Sequence, residues 1–223
     1  AEASGVDLVF VAVPAVHAEV AKMTSLNFQV RSFEKDDLTS DDVDALHEWL
    51  ATMDACVIGP VIARGKKNLE ALEELIAGCP CPMVLDASAL QPWTLDAARD
   101  HLAILTPHLG ELERMEIDPS RVAEATSSSN QVIHVKGAVD RIALPDGSIA
   151  EVSGGNPLLT VGGTGDVLAG LTAGFLAQRV PREQASIQAT KIIKRAAEIL
   201  SDERRSITAR NVIAMIPLLL NQF

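Results

Sequence analysis

Short apolar, β-branched runs alternate along this chain with amphipathic stretches of roughly ten to fifteen residues, and that alternation leaves few folds open. "VDLVFVAVP" (6–14) reads as a strand, "AVHAEVAKM" (15–23) as a helix, "FQVRSF" (28–33) as a strand, and "SDDVDALHEWLATM" (40–53) as a helix opening on Ser40 and two acids. The cycle repeats with "ACVIGP" (55–60), "KKNLEALEELIAG" (66–78, stopped by Gly78), "PMVLDA" (82–87), the helical turn "LDAARD" (95–100) and "LAILTP" (102–107). Strands that are apolar on both faces need cover on both faces. The pattern therefore predicts parallel β-α-β crossovers and a mostly parallel sheet between helical layers.

The period changes after residue 130. "QVIHVKG", "VDRIALP" and "SIAEVS" are short runs separated by Lys136-Gly137 and Asp146-Gly147, and Asp-Gly is a strong hairpin signal, so an antiparallel edge should follow the parallel part. Three helical stretches close the chain, over 165–179, 182–200 and from Thr208 through "ARNVIAMIPLLL". Apart from a modest "TSSSN" turn (126–130), no linker, low-complexity tract or repeat interrupts the series. A single domain over 1–223 is expected.

Composition removes some partners. With 19 Lys and Arg against 30 Asp and Glu, the net charge of −11 and the lack of a basic run exclude a nucleic-acid groove and an anionic membrane surface as general partners. The longest apolar runs fall far short of the ~20 residues that span a bilayer, and no leader pattern opens the chain, so it reads as a soluble, cytoplasmic protein. Cys56, Cys79 and Cys81 lack both C-x-x-C spacing and a second pair to complete a zinc site, and read as reduced, partly buried thiols.

In parallel sheets ligands bind beyond the carboxyl ends of the strands. Those ends are Gly59-Pro60, Asp86-Ala87-Ser88, residues 106–111, Lys136-Gly137 and the segment 162–166, all expected on one rim. The last is the most informative. Seven of the 14 glycines lie between Gly154 and Gly174, and Gly162-Gly163-Thr164-Gly165 immediately precedes the helical "DVLAGLTAGFLAQ". Backbone without Cβ atoms at a helix start is a cradle for phosphate, with amides and helix dipole facing the anion. Asp166 in that first turn fits two roles: a dipole-stabilising acid, or a base that takes a proton from a hydroxyl attacking phosphorus.

"GGTGDVLAG", "LTPHLGE", "VLDASAL" and "HVKG", taken together, resemble the ribokinase-like superfamily and, within it, the ADP- or ATP-dependent NAD(P)H-hydrate dehydratases. The likeness runs from about Val6 to the last helix, through TPHxGE-, KG- and GNPxxxxGGTGD-type motifs in that order. It implies a three-layer αβα sandwich and repair of hydrated NADH or NADPH (NADHX, NADPHX) by phosphoryl transfer from ADP or ATP with Mg²⁺. By resemblance, Asp166 is the base, and Gly163, Thr164 and Gly165, with Gly162, form the anion hole. Lys136, Gly137, Ala138, Val139 and Asp140 line the adenine nucleotide, with Gly165 on the same side. Gly59 and His108 meet the substrate with Asp166, and Glu111 positions Mg²⁺ through water. Read without the family, His108 is equally a capping residue, Glu111 a first-turn acid and Lys136 a solvated lysine.

The chain departs from the family pattern in two places. Where GPGLG is usual it has Gly59-Pro60-Val61-Ile62-Ala63, and where LDADAL is usual it has Ser88 in place of the second acid. The resemblance also implies a strand and helix ahead of residue 1 that are missing here, with truncation the expected reason. A homo-oligomer, a tetramer in many relatives, is implied as well, with the apolar last helix as its surface. The alternatives are a vitamin-precursor kinase of the same superfamily, acting on hydroxyethylthiazole or hydroxymethylpyrimidine, and a nucleotide-binding protein without turnover.

Overall fold

In the computed structural model, which describes residues 1–33, 36–203 and 205–222, parallel pairing starts at the amino end. Strands β1 (Val9–Pro14) and β2 (Phe28–Phe33) run side by side, joined by helix α1 (Ala18–Thr24). A second sheet holds β3 (Cys56–Ile58), β4 (Met83–Leu85), β5 (Ala103–Leu105), β6 (Val132–Val135), β7 (Asp140–Ala143) and β8 (Ile149–Val152) in spatial order 3-4-5-6-7-8. The first four are parallel, and β7 and β8 are antiparallel, as the change of period at residue 130 predicts. The Asp146-Gly147 turn joins them, with Gly147 at φ +84° and Asp146 accepting from the Ser148 amide at 2.9 Å.

One expectation needs correcting. The alternation implies one continuous sheet, yet β1 and β2 pair only with each other among the described strands. Side chains of this ribbon clasp a helix instead: Phe10 packs edge-on against Trp49 of α2 (Ser40–Leu50) at 5.7 Å, and the Arg31 guanidinium stacks 5.4 Å from the same ring.

Side-chain alternation in the larger sheet sorts residues onto two cores. Val84, Ile104, Val132 and Ile142 face a layer built from α7 (Thr164–Ala177), α8 (Arg182–Asp202) and α9 (Ala209–Leu219). Their neighbours Met83, Leu85, Ala103, Leu105 and Ile133 face α2 and α3 (Lys66–Ala77), with α5 (Leu109–Arg114) and α6 (Val122–Ser129) alongside. The short α4 (Thr94–Ala97) links β4 to β5. This gives the expected three layers. Helix α7 is apolar around most of its circumference because it is buried along most of its length. No described helix is long and apolar enough to cross a membrane.

Residues 126–130 are a second correction. They are not a free turn but the end of α6, where the Thr126, Ser127, Ser128 and Ser129 hydroxyls donate to carbonyls three or four residues back and Asn130 terminates the helix at φ +57°. Such back-bonding satisfies hydroxyls within a helix, so a serine run does not require a loop.

Candidate active site

Because β4, β5 and β6 are adjacent and parallel, the residues that follow them meet at one rim. The Asp86 carboxylate, 3% exposed, accepts from Lys136 Nζ at 2.8 Å and from Thr106 Oγ1 at 2.9 Å, all on Oδ1. Lys136 is thus not a solvated lysine. Its ammonium also stands 3.6 Å from Glu111 Oε2, which makes it the cationic hub of two buried carboxylates.

His108 and Glu111 form a reciprocal cap on α5. The Glu111 amide donates to His108 Nδ1 at 3.2 Å and the His108 amide donates to Glu111 Oε2 at 3.0 Å. The bond fixes Nδ1 as acceptor and leaves Nε2 to carry the proton of the neutral ring, 3.6 Å from Glu111 Oε1. Both residues therefore take the capping role, and the imidazole is still more than half exposed at the rim.

Opposite them, α7 starts at Gly163, which caps the helix at φ +90°. The Thr164 hydroxyl is drawn back into the turn, donating to Leu159 O at 2.6 Å and Val161 O at 2.9 Å. The first amides of a helix have no partner within it, and here the Thr164 amide makes only a long bond, 3.5 Å, to Val161 O of the preceding turn. Gly165 lies against the strand-end pair: a Cβ there would stand at ordinary contact distance, 3.6 Å from Lys136 Nζ and 3.9 Å from Asp86 Oδ2. Asp166 comes next. Partial burial and the nearby Asp86 charge hold its carboxyl above the ordinary range, against the opposing pull of Lys136.

The loop after β6 is pinned from beneath. Asp140 Oδ1 accepts from the Gly137 amide at 3.1 Å and lies 3.3 Å from His134 Nε2, while Oδ2 is 2.9 Å from Lys194 Nζ of α8. Lys194 also donates to Ala138 O at 2.8 Å and Gly154 O at 3.3 Å. Burial raises the Asp140 carboxyl, but His134 and Lys194 outweigh it and leave the pKa below its usual value. With both oxygens engaged in the interior, Asp140 shapes the loop, and Gly137, Ala138 and Val139 are its exposed members.

Gly59 follows β3 with φ +119°, and a Cβ there would lie 1.9 Å from Asp86 O, so the backbones of the two strand ends pack in direct contact. The two departures from the family pattern also meet, since Ser88 Oγ donates to Ile62 O at 2.6 Å. Val61 keeps a left-handed backbone, φ +65°, and its side chain is 98% exposed.

The rim thus gathers Gly59, His108, Glu111, Lys136, Gly165 and Asp166, as the strand-end reading predicts. Sequence reasoning placed Asp86 and Thr106 on this rim without giving them a role, and it missed Lys194 as the support. An acid directly after an all-apolar strand was the available signal for Asp86. For Lys194 it was a lone cation on the buried Thr190, Ile193, Ala197 face of α8. The glycine cluster divides: Gly170 and Gly174 make room for Ala1 and Ser4 against α7 and lie away from the rim.

A mostly parallel αβα sandwich with a glycine-led helix facing strand-end acids and a lysine is the ribokinase-like fold. The chain belongs to the NAD(P)H-hydrate dehydratase family, whose model matches residues 1–218. A bifunctional NAD(P)H-hydrate repair enzyme Nnr of Archaeoglobus fulgidus is 36% identical over 175 residues, 78% of this chain and 36% of that protein. The chain therefore spans between about a third and a half of the length of such bifunctional relatives. An ADP-dependent (S)-NAD(P)H-hydrate dehydratase of Natrialba magadii is 33% identical over 221 residues, 96% of this chain and 81% of that protein. The fold also matches an ADP/ATP-dependent NAD(P)H-hydrate dehydratase of Bacillus subtilis co-crystallised with ATP/Mg²⁺, at a TM-score of 0.68 and 22% identity, covering 96% of this chain and 88% of that one.

Proposed function

We propose that this chain dehydrates NADHX and NADPHX, driven by phosphoryl transfer from ADP or ATP. The observation that carries the reading is the Asp166 carboxyl, raised in pKa and set at a glycine-led helix start beside Lys136 and Asp86. Asp166 takes the proton of the ring hydroxyl, and the freed oxygen attacks the terminal phosphorus of the nucleotide, whose remainder departs. Phosphate then leaves with the C–O bonding pair while a neighbouring ring carbon gives up a proton, which restores the double bond. The amides of Gly163, Thr164 and Gly165 meet the charge that develops on the transferred group. Lys136 is held by Asp86 where it can follow that charge.

Three carboxylates, Asp86, Glu111 and Asp166, surround one ammonium, so the rim is acidic where an anionic nucleotide must sit. A Mg²⁺ carried on the phosphates fits that donor set, because magnesium is usually held by one or two carboxylates plus phosphates and retained waters. Glu111 commits Oε2 to the α5 cap and to Lys136, which leaves Oε1, 3.6 Å from His108 Nε2, for a contact through water. Gly137, Ala138 and Val139 would line the nucleotide, with Asp140 acting from below. Gly59 and His108 flank the substrate side.

The same reading takes residues 1–223 as one domain working in the cytoplasm, where reduced nicotinamide cofactors and free thiols coexist. It takes the working form as a homo-oligomer. Of the large apolar residues in α9 only Ile213 and Leu218 are exposed, whereas Leu8, Val16, Val20, Met23 and Leu26 leave apolar surface around β1 and α1. That ribbon is the better interface. The test of activity is to incubate the protein with hydrated NADH, Mg²⁺ and either nucleotide while following the dihydronicotinamide absorbance. Recovery is expected with at least one nucleotide, and failure with both would overturn the reading.

A further inference from the structure

The three cysteines have no part in that chemistry, yet they converge. Cys56 opens β3, and Cys79 and Cys81 lie 23 and 25 residues later in the turn between α3 and β4. Strand pairing joins them: the Cys56 amide donates to Pro82 O at 2.9 Å and Cys56 stands opposite Met83. The sulfurs of Cys56 and Cys79 are 3.7 Å apart, and all three sulfurs lie within 4.8 Å of one another. Cys79 and Cys81 are 1% and 6% exposed, and Cys56 is half-buried.

We propose that Cys56, Cys79 and Cys81 form a thiolate site for one soft, thiophilic cation of the Cu(I) or Zn(II) type. A metal–sulfur distance of about 2.3 Å places the sulfurs about 3.8 Å apart in a tetrahedral site and about 4.0 Å apart in a trigonal one, within the range seen here. A disulfide would instead require Cys56 and Cys79 to close to about 2.05 Å. Pro80 and Pro82 flank Cys81 and fix the local φ angles, so the turn holds its two sulfurs with little freedom to lose on binding. Softness selects the ion: three sulfurs favour Cu(I) or Zn(II) over Mg²⁺ or Ca²⁺. No fourth side-chain donor joins the cluster among the described residues, which leaves a three-coordinate site or one completed by an external ligand. Coordination releases the thiol protons to solvent.

The site lies at the amino ends of β3 and β4, whereas Gly59 and Asp86 follow their carboxyl ends. A bound ion would therefore join the two strands at the rim opposite the catalytic one, without entering it. The spacing C-x-C with no second pair conceals this from sequence, because the third ligand comes from the neighbouring strand.

The test is to titrate the full chain with Cd²⁺ alone as probe, after reduction and removal of metal under anaerobic conditions. One equivalent per chain should bind with a thiolate-to-cadmium charge-transfer band, all three thiols should become protected from alkylation, and Zn²⁺ or Cu⁺ should displace the probe. Cys79→Ser should weaken binding by about a hundredfold or more, and Cys56→Ala, at the least buried of the three positions, should do the same. Undiminished alkylation of the wild-type thiols with Cd²⁺ present would overturn the proposal without any variant. So would equal binding by folded Cys79→Ser and wild type, which would place the ion elsewhere.

Discussion

Val61→Gly should stabilise the protein although it removes a side chain. Val61 lies in the turn after β3, where the Ile62 amide donates to Gly59 O at 3.3 Å, and its φ of +65° is left-handed. A left-handed backbone costs an L-residue roughly 1–2 kcal/mol, and a β-branched residue belongs at the upper end. Glycine removes that cost but adds about 0.5–1 kcal/mol of unfolded-state entropy. Since the side chain is 98% exposed, almost no apolar burial is lost. The net is a gain of about 1–1.5 kcal/mol, or roughly 2–6 °C in Tm for a chain of this size. Ala63→Gly is the control: Ala63 is also exposed and is the other site where the family usually has glycine, but it is not left-handed, so it should lose about 0.5–1 kcal/mol. Urea denaturation with an unchanged m-value separates the two outcomes. A neutral or destabilising Val61→Gly alongside an equal effect at Ala63 would refute the strain reasoning.

Asp166→Asn should abolish turnover while nucleotide binding persists. The raised pKa of Asp166 also means that ionisation costs stability as pH rises through it, so at neutral pH this variant should melt higher than wild type. For the wild type, kcat/KM should fall on the acid side through a pKa above the ordinary carboxylate range, and a limb at or below that range would remove Asp166 as base. Gly59→Ala drives a methyl into Asp86 O, so it should lower soluble yield or, where folded, cut kcat through a displaced Asp86, as a crystal structure would show. Lys194→Met leaves the buried Asp140 carboxylate without its ammonium and should cost about 3–5 kcal/mol. It should also raise the nucleotide KM more than the substrate KM. Because the Asp140 pKa is depressed, its stabilisation holds above the normal carboxylate pKa and is lost as pH falls through the lowered one; Asp140→Asn should flatten that acid limb of Tm.

The layers, the parallel order and the hairpin were legible in the sequence because period and turn chemistry are local. Val84 and Leu85 go to opposite cores simply by being neighbours in a strand. What local pattern cannot carry is which edge pairs with which. The separation of β1 and β2 from the main sheet comes with contacts such as Phe10 against Trp49, which lie 39 residues apart in sequence (49 − 10). The serine run of α6 misled for a different reason, since its hydroxyls are satisfied inside the helix and turn propensity is only the default when they are not.

The candidate site was legible at its glycines and less so at its acids. A glycine carries a backbone requirement that shows in sequence, whereas an acid such as Asp86 acquires its role only when β4 and β6 place it 2.8 Å from Lys136. That pairing also changes what Asp166 can do. Burial raises the Asp166 carboxyl most and the Asp86 charge adds to it, while Lys136, committed to Asp86 and within 3.6 Å of Glu111, offsets them only in part. A base near a phosphoryl group must be ionised yet still basic, and the Asp86–Lys136 pair adjusts what burial sets: one charge pulls weakly and one pushes. Removing Asp86 should therefore free Lys136 to lower the Asp166 pKa, shifting the acid limb of kcat/KM downward in an Asp86→Asn variant, and an unmoved limb would show that Asp166 is set by its own burial alone.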